Sequence, residues 1–439
     1  MGVLLGLLAT CSPFAERTVQ AQNCIDGLPI RPNYESGSSY NWGRAGVALV
    51  GSDVVLATDD YSINGGIAVM RLSGTAGVTE VQRITGVGDI HCLKAASDMF
   101  FVGSGHWSDI RVKAYRRQTN GTYSLATTIN GPIAYEGFGL TLAVNEDATV
   151  LVVGAPNAGT APNTSAGKAY IYARNTTTGV WALEATLQSP IGPVYYNRFG
   201  EVVSASGQRV VVGEGGSASS RIYLRTGTTW ALENSVTNSS GSTSTNYIRE
   251  VHLSGDTLWV RNPQTSRFDV FGRSGTSWTL QQTLVLNNVN AMGFANGVMC
   301  TSTSGGSSGE IIQVQAFRRS GAQQQWANFA TVSTPALSSD ASSNLAMLGD
   351  LVVVDAQRLD YGSVSEFGAG FLFDINFHDC NGNGVRDECD IATGAVADRN
   401  SNGIPDTCED LCRSDLNGDG EVNGLDLGVL IGEWGLCPN

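Results

Sequence analysis

The sequence predicts an all-β protein: a seven-bladed β-propeller of four-stranded blades, followed by a small calcium- and disulfide-stabilised C-terminal segment containing a short helix. Three observations lead there. Short, β-branched apolar runs recur seven times before residue 377, at intervals of roughly 40 to 60 residues. Trp181, Trp230, Trp278 and Trp326 stand 49, 48 and 48 residues apart. Glycine, at 54 of 439 residues, is spread along the chain with Ser, Thr and Asn, as many tight turns between strands require.

The stretch from Phe138 to Leu187 is the best-preserved copy. Its four apolar runs are each about one strand long and are separated by Gly, Asn, Thr and Pro clusters. The second run, Thr149 to Val153, is continuous and β-branched, as a strand buried on both faces requires. The third, Ala169 to Ala173, alternates small residues with tyrosine, and the fourth centres on Trp181. The other second strands are Val54 to Ala57, Met99 to Val102, Val210 to Val212, Thr257 to Val260, Val298 to Thr301 and Leu351 to Val354. Third strands follow at Ile67 to Leu72, Ile110 to Tyr115, Ile222 to Leu224, Phe268 to Phe271, Ile311 to Phe317 and Phe371 to Ile375. Tyr123 holds the tryptophan's place in the second copy and Val78 in the first.

A four-stranded sheet with two apolar faces needs neighbouring sheets on both sides, which a ring of sheets supplies. A pair of β-sandwiches also has closely spaced strands, but does not repeat a Trp at constant spacing. The seventh copy runs into Cys and Asn clusters after Ile375 and has three strands. A short run at Leu28 to Arg31, within residues 24–34, is left over to supply its fourth and close the ring.

The domain organisation reads as a signal peptide over 1–21, a propeller over 22–376, calcium loops over 377–410 and a further calcium-binding half over 411–439. The apolar run Val3 to Thr10 and the A-x-A-like Val19-Gln20-Ala21 are signal-peptide features, although the start carries no Lys or Arg. No other run has the length of a transmembrane helix. The chain is therefore expected to be secreted or at the cell surface. Of the net charge of −14, the last 63 residues carry −10, from 13 acidic against 3 basic residues. There is no basic footprint for nucleic acid, and such a tail repels phosphate unless it holds cations.

Phe138-Gly139 followed by Gly154-Ala155-Pro156 resembles the FG-GAP repeat, the blade of integrin-α-like propellers, with a partial copy at Phe199-Gly200 and Gly213-Glu214-Gly215. The resemblance covers roughly residues 40–376 and implies an exported binding or adhesion propeller. Many FG-GAP blades carry a D-x-D-x-D-G calcium loop; none of the seven copies has one, so no calcium site is assigned to the propeller.

The acidic tail has three segments of one spacing, with oxygen-bearing residues at positions 1, 3, 5, 9 and 12 and Gly at position 6. A 12-residue calcium loop supplies its ligands from these positions and from the carbonyl at position 7. The first set is Asp379, Asn381, Asn383, Val385 through its carbonyl, Asp387 and Asp390. The second is Asp398, Asn400, Asn402, Ile404 through its carbonyl, Asp406 and Glu409. The third is Asp415, Asn417, Asp419, Glu421 through its carbonyl, Asn423 and Asp426. Leu427, Leu430, Ile431 and Trp434 follow at helical spacing. The run DLNGDGEVNGLDLGVLIGEWG is similar to one half of a type I dockerin, which implies Ca2+ and a cohesin-like partner for the helix; the first two loops resemble thrombospondin type 3 repeats.

Eight cysteines remain beyond the signal, an even set that suggests disulfides in an exported chain. Cys380 with Cys389, and Cys412 with Cys437, are candidate pairs. Cys408 is left to pair with Cys24, Cys92 or Cys300, or to stay free. No catalytic residue can be assigned: His91, His106, His252 and His378 are scattered, and no H-E-x-x-H or G-x-S-x-G occurs. Ser274 to Trp278 reads SGTSW, similar to a sialidase Asp-box without its Asp. The function expected is binding of an extracellular protein or glycan, with a calcium-binding spacer or docking module. The alternative is a carbohydrate-active enzyme on a propeller scaffold, tethered by the dockerin-like tail.

Overall fold

The computed structural model describes residues 28–33, 41–59, 64–73, 77–104, 110–159, 165–192, 197–216, 219–237, 250–262, 266–303, 311–320, 324–334, 344–357, 359 and 367–375, with 387, 390–391, 394–399, 405–408, 424–425 and 427 near the C-terminus. Two compact units are present, one of Asp26–Leu72 and Val78–Asn376, the other of Met1–Ile25, Ser73–Gly77 and Phe377–Asn439. Among the described residues no helix is long and apolar enough to cross a membrane.

The larger unit is a seven-bladed β-propeller of four-stranded antiparallel sheets. Its innermost strands, blades 1 to 7, are Gly46–Val50, Cys92–Ala96, Thr141–Val144, Phe199–Ser206, Glu250–Ser254, Val289–Ala295 and Leu345–Leu348. Each contacts the next, and the seventh contacts the first, which closes the ring. The second strands are sandwiched on both faces: Asp53–Thr58 and Val150–Ala155 are buried at every residue. Continuous apolar sequence is thus the signature of a sheet stacked between two others.

The outermost strands explain the repeating aromatic. In blades 2 to 6 the pairing of third and fourth strands shifts register at one place, after Ala114, Ile171, Ile222, Val270 and Ala316. The bulge lets an aromatic residue turn inward onto the preceding blade. Trp181 packs edge-on against Phe101 of blade 2 at 5.6 Å, and Trp326 against Trp259 of blade 5 at 4.8 Å. Opposite the aromatic stands an arginine in all five blades: Arg117 with Tyr123, Arg174 with Trp181, Arg225 with Trp230, Arg273 with Trp278 and Arg319 with Trp326.

Blade 7 takes its fourth strand from the N-terminus. Leu28–Ile30 pairs antiparallel with Ala369–Asp374, Leu28 facing Leu372 and Ile30 facing Gly370. Fully buried Ile30 joins Trp42, Phe367 and Val54 in a core shared by blades 7 and 1. Beyond the strand, Arg83 of blade 1 donates to the Asn33 carbonyl at 2.8 Å.

Candidate functional site

Antiparallel order gives the ring two unlike faces. Connections from first to second strand hold two residues in six of the seven blades, such as 51–52 and 207–208, and five in the other; those from third to fourth hold two to six. On the opposite face the second-to-third connections hold four to twelve residues, and those to the next blade three to fifteen. Short hairpin turns leave no surface to vary, whereas long connections do.

One interblade connection on the long-loop face, 131–140, is anchored from below. Glu136, a buried carboxylate, accepts from Lys168 Nζ at 2.9 Å and from the Tyr170 hydroxyl at 2.8 Å. Its neighbour Tyr135 is held outward, 64% exposed, at φ +67°, a left-handed conformation that a bulky side chain rarely adopts. Ile133 and Ile191, each after a proline in successive interblade loops, are 53% and 57% exposed.

The same loops lead into the Phe-Gly pairs. A Cβ at Gly154 of blade 3 would stand 2.2 Å from the Gly200 carbonyl oxygen of blade 4, and one at Gly103 of blade 2 would stand 2.2 Å from that of Gly139 in blade 3. The missing side chains let adjacent blades touch through their backbones. Thr141 Oγ1 donates to the Gly200 carbonyl at 2.8 Å, and Asn344 Nδ2 to that of Gly43 at 3.1 Å, so a residue at the start of the inner strand, Thr141, or just before it, Asn344, caps the next blade's entry.

At the junction of blades 5 and 6 this position carries charge. Glu250 faces Arg261 across the hairpin, and Arg261 Nη1 lies 3.1 Å from Glu250 Oε2. Arg261 also donates to the Asn290 carbonyl at 3.2 Å and to the Val289 carbonyl, while Met292 N–H donates to Glu250 Oε1 at 3.1 Å. His252, two residues along the same strand face, places Nε2 3.4 Å from Glu250 Oε1. Burial pushes the Glu250 carboxyl up, but the His252 contact, the His252 and Arg261 charges and the Met292 amide outweigh it and hold the group below the usual carboxylate range. These residues line the wall of an axial cavity of about 1010 Å³. Chemically, the pair can orient an imidazole; the guanidinium is already committed to blade 6.

This constellation was not legible from spacing along the chain. Glu250 and His252 share a face by the period of two, and Arg261 meets them only through hairpin register. Of the other histidines, His91 lies 3.6 Å from Asp89; His106 and His378 lie outside the described residues.

Four of the expected calcium ligands in the smaller unit are described. Asp387 and Asp390 are buried, each 3% exposed, and Asp398 is half-buried. Asp406 accepts from the Arg399 amide through Oδ1 at 2.9 Å; its buried Oδ2 has no hydrogen-bond partner, with Arg399 Nε at 3.6 Å. A buried carboxylate oxygen left over at a ligand position is what a site for a hard cation needs. Asp379, Asn381, Asn383, Val385, Asn400, Asn402, Ile404, Glu409, Asp415, Asn417, Asp419, Glu421, Asn423 and Asp426 lie outside the described residues, as do the signal segment and Leu430, Ile431 and Trp434. Among the described residues no three His, Cys, Asp or Glu form a metal-binding group. Gly424, Leu425 and Leu427 are helical, and both leucines are exposed.

Cys408 is in a disulfide, and Cys92 and Cys300 are free thiols. Neither is therefore its partner, which corrects two of the open alternatives. Both are held in propeller strands, where burial pushes their thiols up.

No protein-family model matches the chain, and no curated protein matches it. Solved structures do share its fold. U3-55K superposes with a TM-score of 0.51 at 11% identity, over 79% of this chain and 98% of that one. A putative 6-phosphogluconolactonase from Bacteroides uniformis gives 0.50 at 10%, over 72% and 98%. The periplasmic gluconolactonase PpgL of Pseudomonas aeruginosa gives 0.50 at 12%, over 71% and 96%. At these identities the likeness is one of fold alone.

Proposed function

We propose that the protein is an exported binding propeller of the FG-GAP, integrin-α-like kind, recognising an extracellular protein or glycan through its long-loop face. The observation that carries this reading is the unlike length of the connections on the two faces, with exposed Tyr135, Ile133 and Ile191 on the longer ones. The backbone contacts at Gly103–Gly139 and Gly154–Gly200 support the FG-GAP resemblance, because they give its glycines a structural reason. A glycan and extracellular-protein screen tests it: Tyr135→Ala with Ile191→Ala loses the ligand and Val180→Ala, on the turn face, keeps it. Loss with Val180→Ala alone would overturn the reading.

The C-terminal segment, in the same proposal, folds on Ca2+ and spaces or docks the propeller. Asp387, Asp390, Asp398 and Asp406 would be among the oxygen ligands, and the buried Asp406 Oδ2, which has no hydrogen-bond partner and only the Arg399 ion pair at 3.6 Å, supports this. Bound calcium supplies the positive charge that lets these carboxylates lie together.

A second reading, a carbohydrate-active enzyme, is favoured by the His252–Glu250 pair within the axial cavity. Glu250 would orient the imidazole, and His252 would serve as base. Turnover that disappears in His252→Asn while ligand binding at the loop face persists would select it.

A further inference from the structure

One level of the axial cavity is built unlike the others. Seven inner-strand residues there each pair with the middle of a second strand, as Lys94 does with Phe101 and His252 with Trp259. Five of the seven are small: Ala48, Ala143, Ser204, Gly293 and Ala346, paired with Val55, Val152, Val211, Cys300 and Val353. All seven line the cavity. Ala48, Ala143 and Ser204 are buried against the next blade, and only blades 2 and 5 carry long side chains at this level. Two blades separate these on one side and three on the other, so Lys94 and His252 stand on opposing walls.

The other charged groups of the cavity make contacts of their own. Glu250 and Arg261 neutralise each other one step toward the long-loop face. Glu146, at the turn end, accepts from Ser206 Oγ at 2.6 Å and from the Gly207 amide at 2.9 Å. Lys94, an exposed residue, makes no ion pair among the described residues. Its ammonium, on an exposed side chain, is therefore left without a counter-ion in the cavity. The imidazole of His252, its Nε2 on Glu250, keeps Nδ1 for a second partner.

We propose that the axial cavity is a binding site for a small organic anion, a carboxylate or a phosphate, held between Lys94 Nζ and the His252 ring. The site is independent of the long-loop face, so either can fail without the other. Isothermal titration of the full chain at low ionic strength, with citrate in one arm and inorganic phosphate in the other, tests it. One equivalent is expected in at least one arm; citrate alone assigns a carboxylate, phosphate alone a phosphate, and both a general oxyanion site. Lys94→Met and His252→Asn are each expected to weaken binding about tenfold or more, the loss of one charge-assisted contact. Tyr135→Ala, on the long-loop face, is expected to leave binding unchanged. Absence of binding in both arms up to about 10 mM, or wild-type affinity in Lys94→Met with its fold intact by circular dichroism, would overturn the proposal.

Discussion

Trp230 Nε1 donates to Glu184 Oε2 at 2.8 Å, from the start of one blade's outermost strand to the bulge of the preceding one. Arg225, opposite Trp230, donates to the other oxygen at 2.5 Å. The bulge residue is thus turned toward the next blade, and Glu233 repeats the device with Trp278 at 3.3 Å. Glu184→Ala leaves a buried indole N–H and a half-buried guanidinium without their acceptor. The expected loss is about 1.5–3 kcal/mol of unfolding free energy, read as a lower urea midpoint at unchanged slope.

The backbone contacts between blades give a steric contrast. Alanine at Gly154 would bring its Cβ within 2.0 Å of Thr141 Oγ1 and 2.2 Å of the Gly200 carbonyl oxygen. Gly207, at φ +53°, has nothing within 4 Å of the same position. Gly154→Ala is expected to cost more than about 3 kcal/mol, and Gly207→Ala only about 1–2 kcal/mol for a left-handed backbone. Paired denaturant titrations compare them; equal costs would refute the close-contact explanation.

Stability is expected to fall at both ends of the pH scale around one buried group. Asp53 is fully buried and takes hydrogen bonds from Arg71 at 2.7 and 3.0 Å, from Arg117 at 3.0 Å and from the Tyr123 hydroxyl at 3.0 Å. Burial pushes its carboxyl up, but the arginines and the phenol together hold it below its ordinary value. A carboxyl depressed in the folded state contributes stability above its unfolded pKa of about 3.9, lost as pH falls below that. Burial and the Asp53 charge push the Tyr123 hydroxyl well up, so its contribution is present below about pH 10 and lost as pH rises beyond it. Urea midpoints against pH are expected to be flat between about pH 4 and 10. Asp53→Asn should lower that plateau and flatten its acid limb.

Strand positions were legible because burial on both faces forces continuous apolar runs, and Trp spacing counted the blades from Trp181 to Trp326. The arginine opposite each aromatic is as regular, yet Arg117, Arg174, Arg225, Arg273 and Arg319 carry no hydrophobic signal and acquire meaning only through cross-strand register. Lys94 and His252 lie 158 residues apart and line one cavity because a ring brings seven separate segments to its axis. Periodicity along the chain counts blades; it says nothing of which side chains share the axis.

Ring closure rests on a three-residue strand, Leu28–Ile30. Removing residues 24–34 takes away its pairing with Ala369–Asp374 and the burial of Ile30, and a lower thermal midpoint is expected. An unchanged midpoint would mean that the ring holds without it.

The proposed functional face is tested most directly by hydrogen–deuterium exchange of the propeller with and without the ligand recovered from the binding screen. Protection is expected over residues 131–137 and 188–192, the interblade connections that carry Ile133, Tyr135 and Ile191. Protection confined to the short turns 51–52, 207–208 and 255–256 would contradict it.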